Sequence, residues 1–255
     1  MKRKEFLIGL LLVFILTSGN LSIVSAVNYG IGITQNESLV WKCKVCYKTE
    51  MDNIFGPEWD ISGIFTSLSV GASMKWKINS TEINTTIISI EYDIWYWTLS
   101  GDWGIKDNSS QITMLVSPNN YSTNYKFLKY TSLVPFLLPI PVGEYLGGLS
   151  EILNDWYDVD NRVLPTLNVE VLKDTIYPSY PNIDIKIIAI YNDRGILNSY
   201  KLYGKDNTVI LDIALDFLPF YVIPSLIGLA VVFSIGIAFY IIKKKNTYRP
   251  LSNKK

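Results

Sequence analysis

The chain has 255 residues with 23 basic and 23 acidic side chains, no histidine and two cysteines. The lack of histidine excludes Ser-His-Asp and Cys-His catalysis, histidine-ligated zinc and imidazole pH switching. Two cysteines are too few for a disulfide-stapled scaffold, so burial of apolar side chains must supply most of the stability.

Charge is segregated along the chain. Residues 27–216 hold 14 basic and 22 acidic side chains, a net charge of −8, whereas residues 243–255 hold 6 basic and no acidic ones. An acidic domain repels phosphate backbones, so we expect no nucleic acid partner.

The N-terminus has the features of an export signal. Three basic residues at 2–4 precede the apolar run 6–16, and small residues end the segment at Ala26. This pattern predicts a secretory signal peptide over residues 1–26, cleaved after Ala26. Residues 6–27 carry no charge and could span a bilayer, so an uncleaved signal anchor is the alternative. Either outcome places the following segment outside the cell.

The C-terminal part predicts a membrane anchor. Residues 217–242 carry no charge, and a helix with Pro224 in its first turn could run to Ile242 over 19 residues, roughly 28 Å at 1.5 Å per residue. That length matches a hydrocarbon core of about 30 Å. Because basic residues collect on the cytoplasmic side, we expect a transmembrane segment at 217–242 with its helix core at 224–242, a cytoplasmic tail at 243–255, and a single-pass cell-membrane protein whose partner is the lipid bilayer.

Between the two ends, residues 27–216 alternate apolar and polar side chains with a period of two, the signature of half-buried strands. Short turn sequences such as Asn192–Gly195 connect the later strands, which favours antiparallel pairing. The predicted strands lie at 41–47, 74–78, 88–97, 112–116, 167–172, 183–191, 196–203 and 209–215.

One segment breaks this pattern. Apolar residues between Tyr145 and Trp156 recur at helical spacing and predict an amphipathic helix of about three turns. Before it, Val134–Pro141 has three prolines and no polar side chain, so it cannot form a central strand, and we expect it to cross the open face of the sheet. The predicted fold is α+β and mainly β: a curved antiparallel sheet covered by a helix and an apolar loop, plus one C-terminal transmembrane helix.

Two stretches carry a resemblance to a known family. The opening pattern at 38–45 with Asn53-Ile54-Phe55-Gly56, and the closing pattern at 190–197 with Tyr200-Lys201-Leu202-Tyr203, resemble uncharacterised archaeal surface proteins of the choice-of-anchor type. The later strands are more distantly similar to half-barrel lipoprotein-carrier folds. The resemblance implies a β-rich outer domain on a variable membrane anchor, and it implies no known activity.

Cys43 and Cys46 have the spacing of a redox dithiol. Such dithiols sit at helix N-termini, whereas this pair lies in a period-two run that predicts Cys43 inside and Cys46 outside. Side chains on opposite faces of a strand are too far apart for a disulfide unless a bulge intervenes. We therefore expect two separate thiols and no disulfide.

The acidic clusters are explained by exposure to solvent rather than by a functional site. Asp155, Asp158 and Asp160 could suit calcium, but Arg162 stands where a ligand would be needed, which favours a solvated helix end. Glu91 and Asp93 are too near each other for the usual glycosidase pair, which favours a solvent face. We expect no metal site, no cofactor and no catalytic residue.

Two further sets of residues are candidates for surface chemistry. Aromatic and apolar side chains near one strand end and in the apolar loop could bind a ligand, although aromatics in such numbers also suit a core. The binding candidates are Trp95, Trp97, Trp103, Phe136 and Leu137, and Trp95 and Trp97 are expected to share the face of Glu91 and Asp93. Asn-x-Ser/Thr sequons make glycosylation candidates of Asn36, Asn79, Asn84, Asn108 and Asn120.

These features predict a membrane-anchored cell-surface protein whose outer domain binds an apolar or glycan ligand, or an envelope protein, without catalysis. A structural role in the envelope is one alternative. A surface enzyme that depends on carboxylates or a thiol is the other.

Overall fold

A computed structural model describes residues 27–176, 180–216, 234 and 237. These residues contain nine strands and two α-helices: β1 (Ser38–Cys46), α1 (Lys48–Phe55), β2 (Ser73–Ile83), β3 (Ile87–Thr98), β4 (Asn108–Leu115), α2 (Val142–Ser150), β5 (Tyr157–Asp160), β6 (Thr166–Val171), β7 (Ile185–Tyr191), β8 (Leu197–Tyr203) and β9 (Val209–Leu215). The predicted signal peptide and cytoplasmic tail lie outside the described residues, as does nearly all of the predicted transmembrane segment. Within the described residues, the helices are all too short or too polar to cross a bilayer.

All nine strands form one open antiparallel sheet in the order β4-β3-β2-β1-β9-β8-β7-β6-β5. The first four strands form one meander and the last five form another. The pairing of β1 with β9 joins the two meanders, so the first strand of the chain lies at the centre of the sheet beside the last. The prediction of a mainly β, antiparallel domain is confirmed.

Period-two alternation buries one face of this sheet. In β7, for example, Ile185, Ile187, Ala189 and Tyr191 are buried, while Lys186 between them forms an ion pair with Glu170 at 3.0 Å. Burial of alternate side chains fixes the register, because a shift by one residue would expose every apolar side chain.

The buried face is covered by the apolar loop and α2. Residues 133–138 are buried as predicted for the loop, and backbone hydrogen bonds join Phe136 O to Leu197 N at 2.9 Å and Leu138 N to Gly195 O at 2.7 Å. Tyrosine hydroxyls from the sheet donate to carbonyls in this loop and just before it: Tyr191 to Pro135 at 2.8 Å and Tyr157 to Leu133 at 3.2 Å. These bonds satisfy carbonyls that proline-rich backbone cannot pair in a ladder.

One helix is shorter than predicted, and one strand and one helix were not predicted. The helix ends at Ser150 rather than near Trp156, because Gly147 and Gly148 weaken its last turn and Asn154 starts a new turn that leads into β5. Asp158 and Asp160 therefore lie on a strand, and the prediction that they follow a helix end is wrong. The sequence reading also missed α1, which buries only Met51 and Ile54.

Candidate functional site

A cavity of about 220 Å³ lies between the inner face of β2–β4 and the chain segment 129–136, which crosses that face. Most of its walls are apolar and aromatic, and the exposed Lys129 and Thr131 place one end at the surface. The lining residues are Gly63, Ile64, Trp76, Tyr92, Ile94, Tyr96, Ser110, Ile112, Lys129, Tyr130, Thr131, Ser132 and Phe136.

Stacked aromatic rings build the wall of this cavity. Trp76 on β2 stacks on Tyr92 of β3 with ring centroids 4.2 Å apart, and Phe136 from the loop lies 5.4 Å from Trp76. Trp41 on β1 packs behind both, 5.0 Å from each ring. Its indole Nε1 donates to Leu197 O at 2.7 Å, so Trp41 ties this aromatic cluster to β8.

The indole N–H of Trp76 is a buried donor without a hydrogen bond partner among the described residues. The Trp76 side chain as a whole is 2% exposed. Buried indole N–H groups usually find a partner. Leaving such a donor unpaired costs about 1–3 kcal/mol. Because this nitrogen has almost no accessible surface, an acceptor in the cavity would recover this energy only when the neighbouring side chains shift to expose it.

Polar groups near the surface end have defined partners. Lys129 Nζ donates to Thr113 O at 2.8 Å, and partial burial of this amine lowers the pKa of Lys129 below its ordinary value. Burial raises the pKa of Tyr92 and Tyr130, so both phenols are neutral at physiological pH. The cavity therefore offers apolar walls and neutral donors, with one amine at its rim.

The predicted tryptophans line a different pocket, of about 270 Å³, at the far end of β3. Trp95, Trp97 and Trp103 do come together there. The expectation that Trp95 and Trp97 share a face is wrong, because an extra residue in β3 opposite Ser73 and Lys75 reverses the alternation and buries Trp97.

These three rings already have partners inside the protein. Lys75 Nζ lies 3.8 Å from the Trp95 ring centroid and 5.0 Å from that of Trp103. Trp95 Nε1 donates to Gly104 O at 3.3 Å, and Trp97 Nε1 donates to Ile64 O at 2.7 Å. The indole N–H groups of Trp95 and Trp97 are satisfied and Lys75 covers the rings of Trp95 and Trp103, so this pocket offers a ligand less than the cavity beside Trp76 does.

The two binding candidates in the apolar loop lie in different surroundings. Phe136 lines the cavity, whereas Leu137 is buried outside both pockets. The sequence did not single out Trp76, Tyr92 and Lys129 as binding candidates. Strand alternation predicts that Trp76 and Tyr92 point inward, but it does not show whether they meet other side chains or a cavity. The orphaned indole depends on neighbours that are distant in sequence.

The acidic candidates are engaged at the surface. Arg162 pairs with Asp160 at 2.7 Å and holds the pKa of that carboxyl to about 2. Asp158 accepts a hydrogen bond from Asn168 at 3.4 Å. The part of the chain that the structure describes contains no group of three histidine, cysteine or acidic residues arranged to hold a metal ion.

The cysteines differ from the prediction. Cys43 pairs with Ile213 but Val45 pairs with Asp212, so β1 has a bulge between these positions. The bulge returns Cys46 to the face of Cys43, where it packs against the core. The prediction that Cys46 points away from Cys43 is therefore wrong, although both residues are free thiols in this structure.

The sequon asparagines lie at the surface with one exception. Asn36, Asn84, Asn108 and Asn120 are exposed. Asn79 is half-buried on β2 and donates to Asp93 Oδ1 at 2.9 Å.

Comparisons with protein-family models, curated proteins and solved structures find no match to this chain.

Proposed function

We propose that the chain is a membrane-anchored cell-surface protein whose outer domain binds a small, largely apolar ligand without catalysing its conversion. The observation that carries the binding proposal is the aromatic cavity beside Trp76, whose buried Nε1–H has no acceptor among the described residues. Ligand pockets of proteins are typically apolar hollows with a few fixed polar groups, and this cavity has that composition.

The size of the cavity limits the ligand. A cavity of about 150 Å³ lined by apolar side chains binds benzene, so a volume of about 220 Å³ suits a ring with a short substituent or a short acyl end. A whole phospholipid or an oligosaccharide is too large to enter. The ligand is therefore a small apolar molecule rather than a whole lipid or a glycan chain.

Photolabelling of the full chain in lipid nanodiscs tests this proposal. The probe is trifluoromethylphenyldiazirine, a small apolar aryl diazirine that inserts into neighbouring residues on illumination. Peptide mapping should place label on segments that line the cavity, around Tyr92, Tyr130 and Phe136. Excess acetophenone, which has a similar size, should suppress this label while label on lipid-facing segments persists.

Two substitutions on one strand provide a matched pair. Ile112 on β4 lines the cavity, whereas Thr113 beside it is exposed on the other face. Ile112→Trp should fill the cavity and abolish the labelling around Tyr92, while Thr113→Trp should leave it intact. Equal labelling of both variants, or labelling confined to lipid-facing segments, would overturn the proposed site.

A further inference from the structure

The end of β1 brings two thiols together beside the start of a helix. The bulge after Cys43 puts Cys46 opposite Leu211, on the buried side of the sheet. Cys43 is fully buried and its Sγ donates to Val45 O at 3.3 Å, whereas Cys46 is partly exposed. An outer thiol that solvent can reach therefore lies on the same face of the sheet as an inner thiol that it cannot, three residues away in the chain.

The surroundings favour a thiolate on the outer residue. Helix α1 begins at Lys48 with Tyr47 as its N-cap, so Cys46 directly precedes a helix N-terminus, where the macrodipole stabilises negative charge. The neighbouring Cys43 side chain lowers the pKa of Cys46, and Lys48 lowers it further, while burial acts in the opposite direction. The neighbouring Cys46 side chain, together with burial, raises the pKa of Cys43.

Acidic groups on three sides oppose this effect in part. Asp52 on α1 and Asp60 in the following loop act against the Cys46 thiolate, and Asp212 on β9 acts against a Cys43 thiolate. Lys48 also pairs with Asp60 at 2.9 Å. The pKa of Cys46 remains lowered despite these carboxylates, so Cys46 ionises more readily than Cys43.

We propose that Cys43 and Cys46 form a redox-active dithiol, in which Cys46 attacks an external disulfide and Cys43 resolves the product. The co-reactant is a low-molecular-weight or protein disulfide. The Cys46 thiolate forms a bond to one sulfur of that disulfide and expels the other sulfur as a thiolate. Cys43 then loses its proton and attacks Cys46 Sγ, which breaks the mixed disulfide and expels the second thiolate.

This exchange conserves electrons and protons. Two cysteine thiols are oxidised to one internal disulfide, the external disulfide is reduced to two thiols, and the two protons from the cysteines pass to the expelled thiolates. On the proposed topology the pair faces an oxidising compartment, where disulfides persist. Neither cysteine lines the cavity beside Trp76, so this proposal stands apart from the ligand proposal.

Glutathione redox buffers test the exchange on the reduced full chain in nanodiscs. The two cysteines are the only thiols in the sequence, so alkylation followed by mass spectrometry reads the state of the pair directly. We expect wild type to lose both alkylatable thiols and to gain an internal disulfide without accumulating a glutathione adduct.

Reciprocal variants separate the two roles. Cys43→Ala should trap one glutathione on Cys46, because no resolving thiol remains. Cys46→Ala should react at least about tenfold more slowly with iodoacetamide than Cys43→Ala, since the remaining thiol is buried. Near-ultraviolet circular dichroism establishes that each variant is folded.

Wild type itself provides a measurement that does not depend on the variants. Brief alkylation of the native protein should label Cys46 before Cys43. Stable glutathione adducts on wild type, equal labelling of the two cysteines, or reaction only after unfolding would each overturn the dithiol.

Discussion

At the scale of single residues, Trp76 is where the fold leaves a polar group unsatisfied. Its ring contributes to packing against Tyr92 and Phe136, yet its N–H is buried without an acceptor among the described residues. Phenylalanine keeps an aromatic ring at this position but removes the donor. The substitution therefore isolates the hydrogen bond from the apolar part of ligand binding.

Trp76→Phe should change which ligands the cavity prefers. Acetophenone and α-methylstyrene have nearly the same shape, but only the ketone has a hydrogen bond acceptor. Once the side chains around Trp76 shift to expose its N–H, one net hydrogen bond should make the ketone a roughly fivefold better competitor of diazirine labelling in wild type. In Trp76→Phe the two competitors should be equal after correction for their partition into lipid. A ketone preference that survives the substitution would show that another donor holds the ligand.

At the scale of elements, the turn between β7 and β8 depends on one glycine. Gly195 has φ +77°, and a Cβ added there would lie 2.0 Å from Leu138 O, inside the hydrogen-bonded contact between turn and loop. Gly71 has a similar φ of +84°, but a Cβ there meets only a Leu99 methyl group at 3.5 Å. The two glycines therefore share a left-handed backbone and differ in the space beside them.

Gly195→Ala should lower the free energy of unfolding by at least about 2 kcal/mol more than Gly71→Ala, because both variants have backbone strain and only the first has the clash. Denaturant unfolding followed by tryptophan fluorescence gives both values. Equal losses would mean that the loop moves aside without penalty.

The polar face of β3 holds its neighbours through Asp93. The carboxylate accepts hydrogen bonds from Lys106 Nζ at 2.7 Å, Ser109 Oγ at 2.7 Å and Asn79 Nδ2 at 2.9 Å. The Lys106 bond is the largest cause that holds the pKa of Asp93 to about 2, below its ordinary value of 3.8. A group whose pKa is lower in the folded state stabilises the fold above its unfolded pKa.

The stabilisation by Asp93 should therefore be complete above about pH 4 and disappear as the pH falls from 4 to 2. Unfolding curves of wild type and Asp93→Asn between pH 2 and 7 should converge over this interval. Lys106→Gln should show a smaller effect, since Ser109 and Asn79 still donate to the carboxylate. A difference between wild type and Asp93→Asn that stays constant down to pH 2 would contradict this role.

Strands and loops were predictable where the local sequence alone determines the structure. Alternation of apolar and polar residues places β3, β7 and β9 nearly at their observed bounds, and three prolines exclude the apolar loop from the sheet. Bulges were not predictable, because an extra residue appears only when a strand is aligned with its partner. The two bulges at Cys43–Val45 and near Trp97 account for both wrong assignments of side chains to faces.

At the scale of the whole molecule, the sheet makes the two ends of the domain depend on each other. β1 pairs with β9, and Arg194 before β8 reaches back to Gly32 O at 2.9 Å and Glu37 Oε2 at 2.7 Å. Asp216, at the end of β9, donates its N–H to Val40 O at 2.7 Å. The end of the domain that precedes the predicted anchor is therefore fixed to the central strand, and ligand binding, dithiol exchange and anchoring would share one rigid sheet.

The proposed topology determines which parts of the chain a reagent outside the cell can reach. With Cys43 and Cys46 replaced by alanine, a single cysteine at Ser122, which is exposed in the described domain, should react with a membrane-impermeant maleimide on intact cells. A single cysteine at Ser252, in the predicted tail, should react only after the membrane is permeabilised, because basic segments stay on the cytoplasmic side. Gel shifts of the labelled full chain give both results. Labelling of Ser252→Cys on intact cells would reverse the orientation, and with it the oxidising environment on which the dithiol proposal relies.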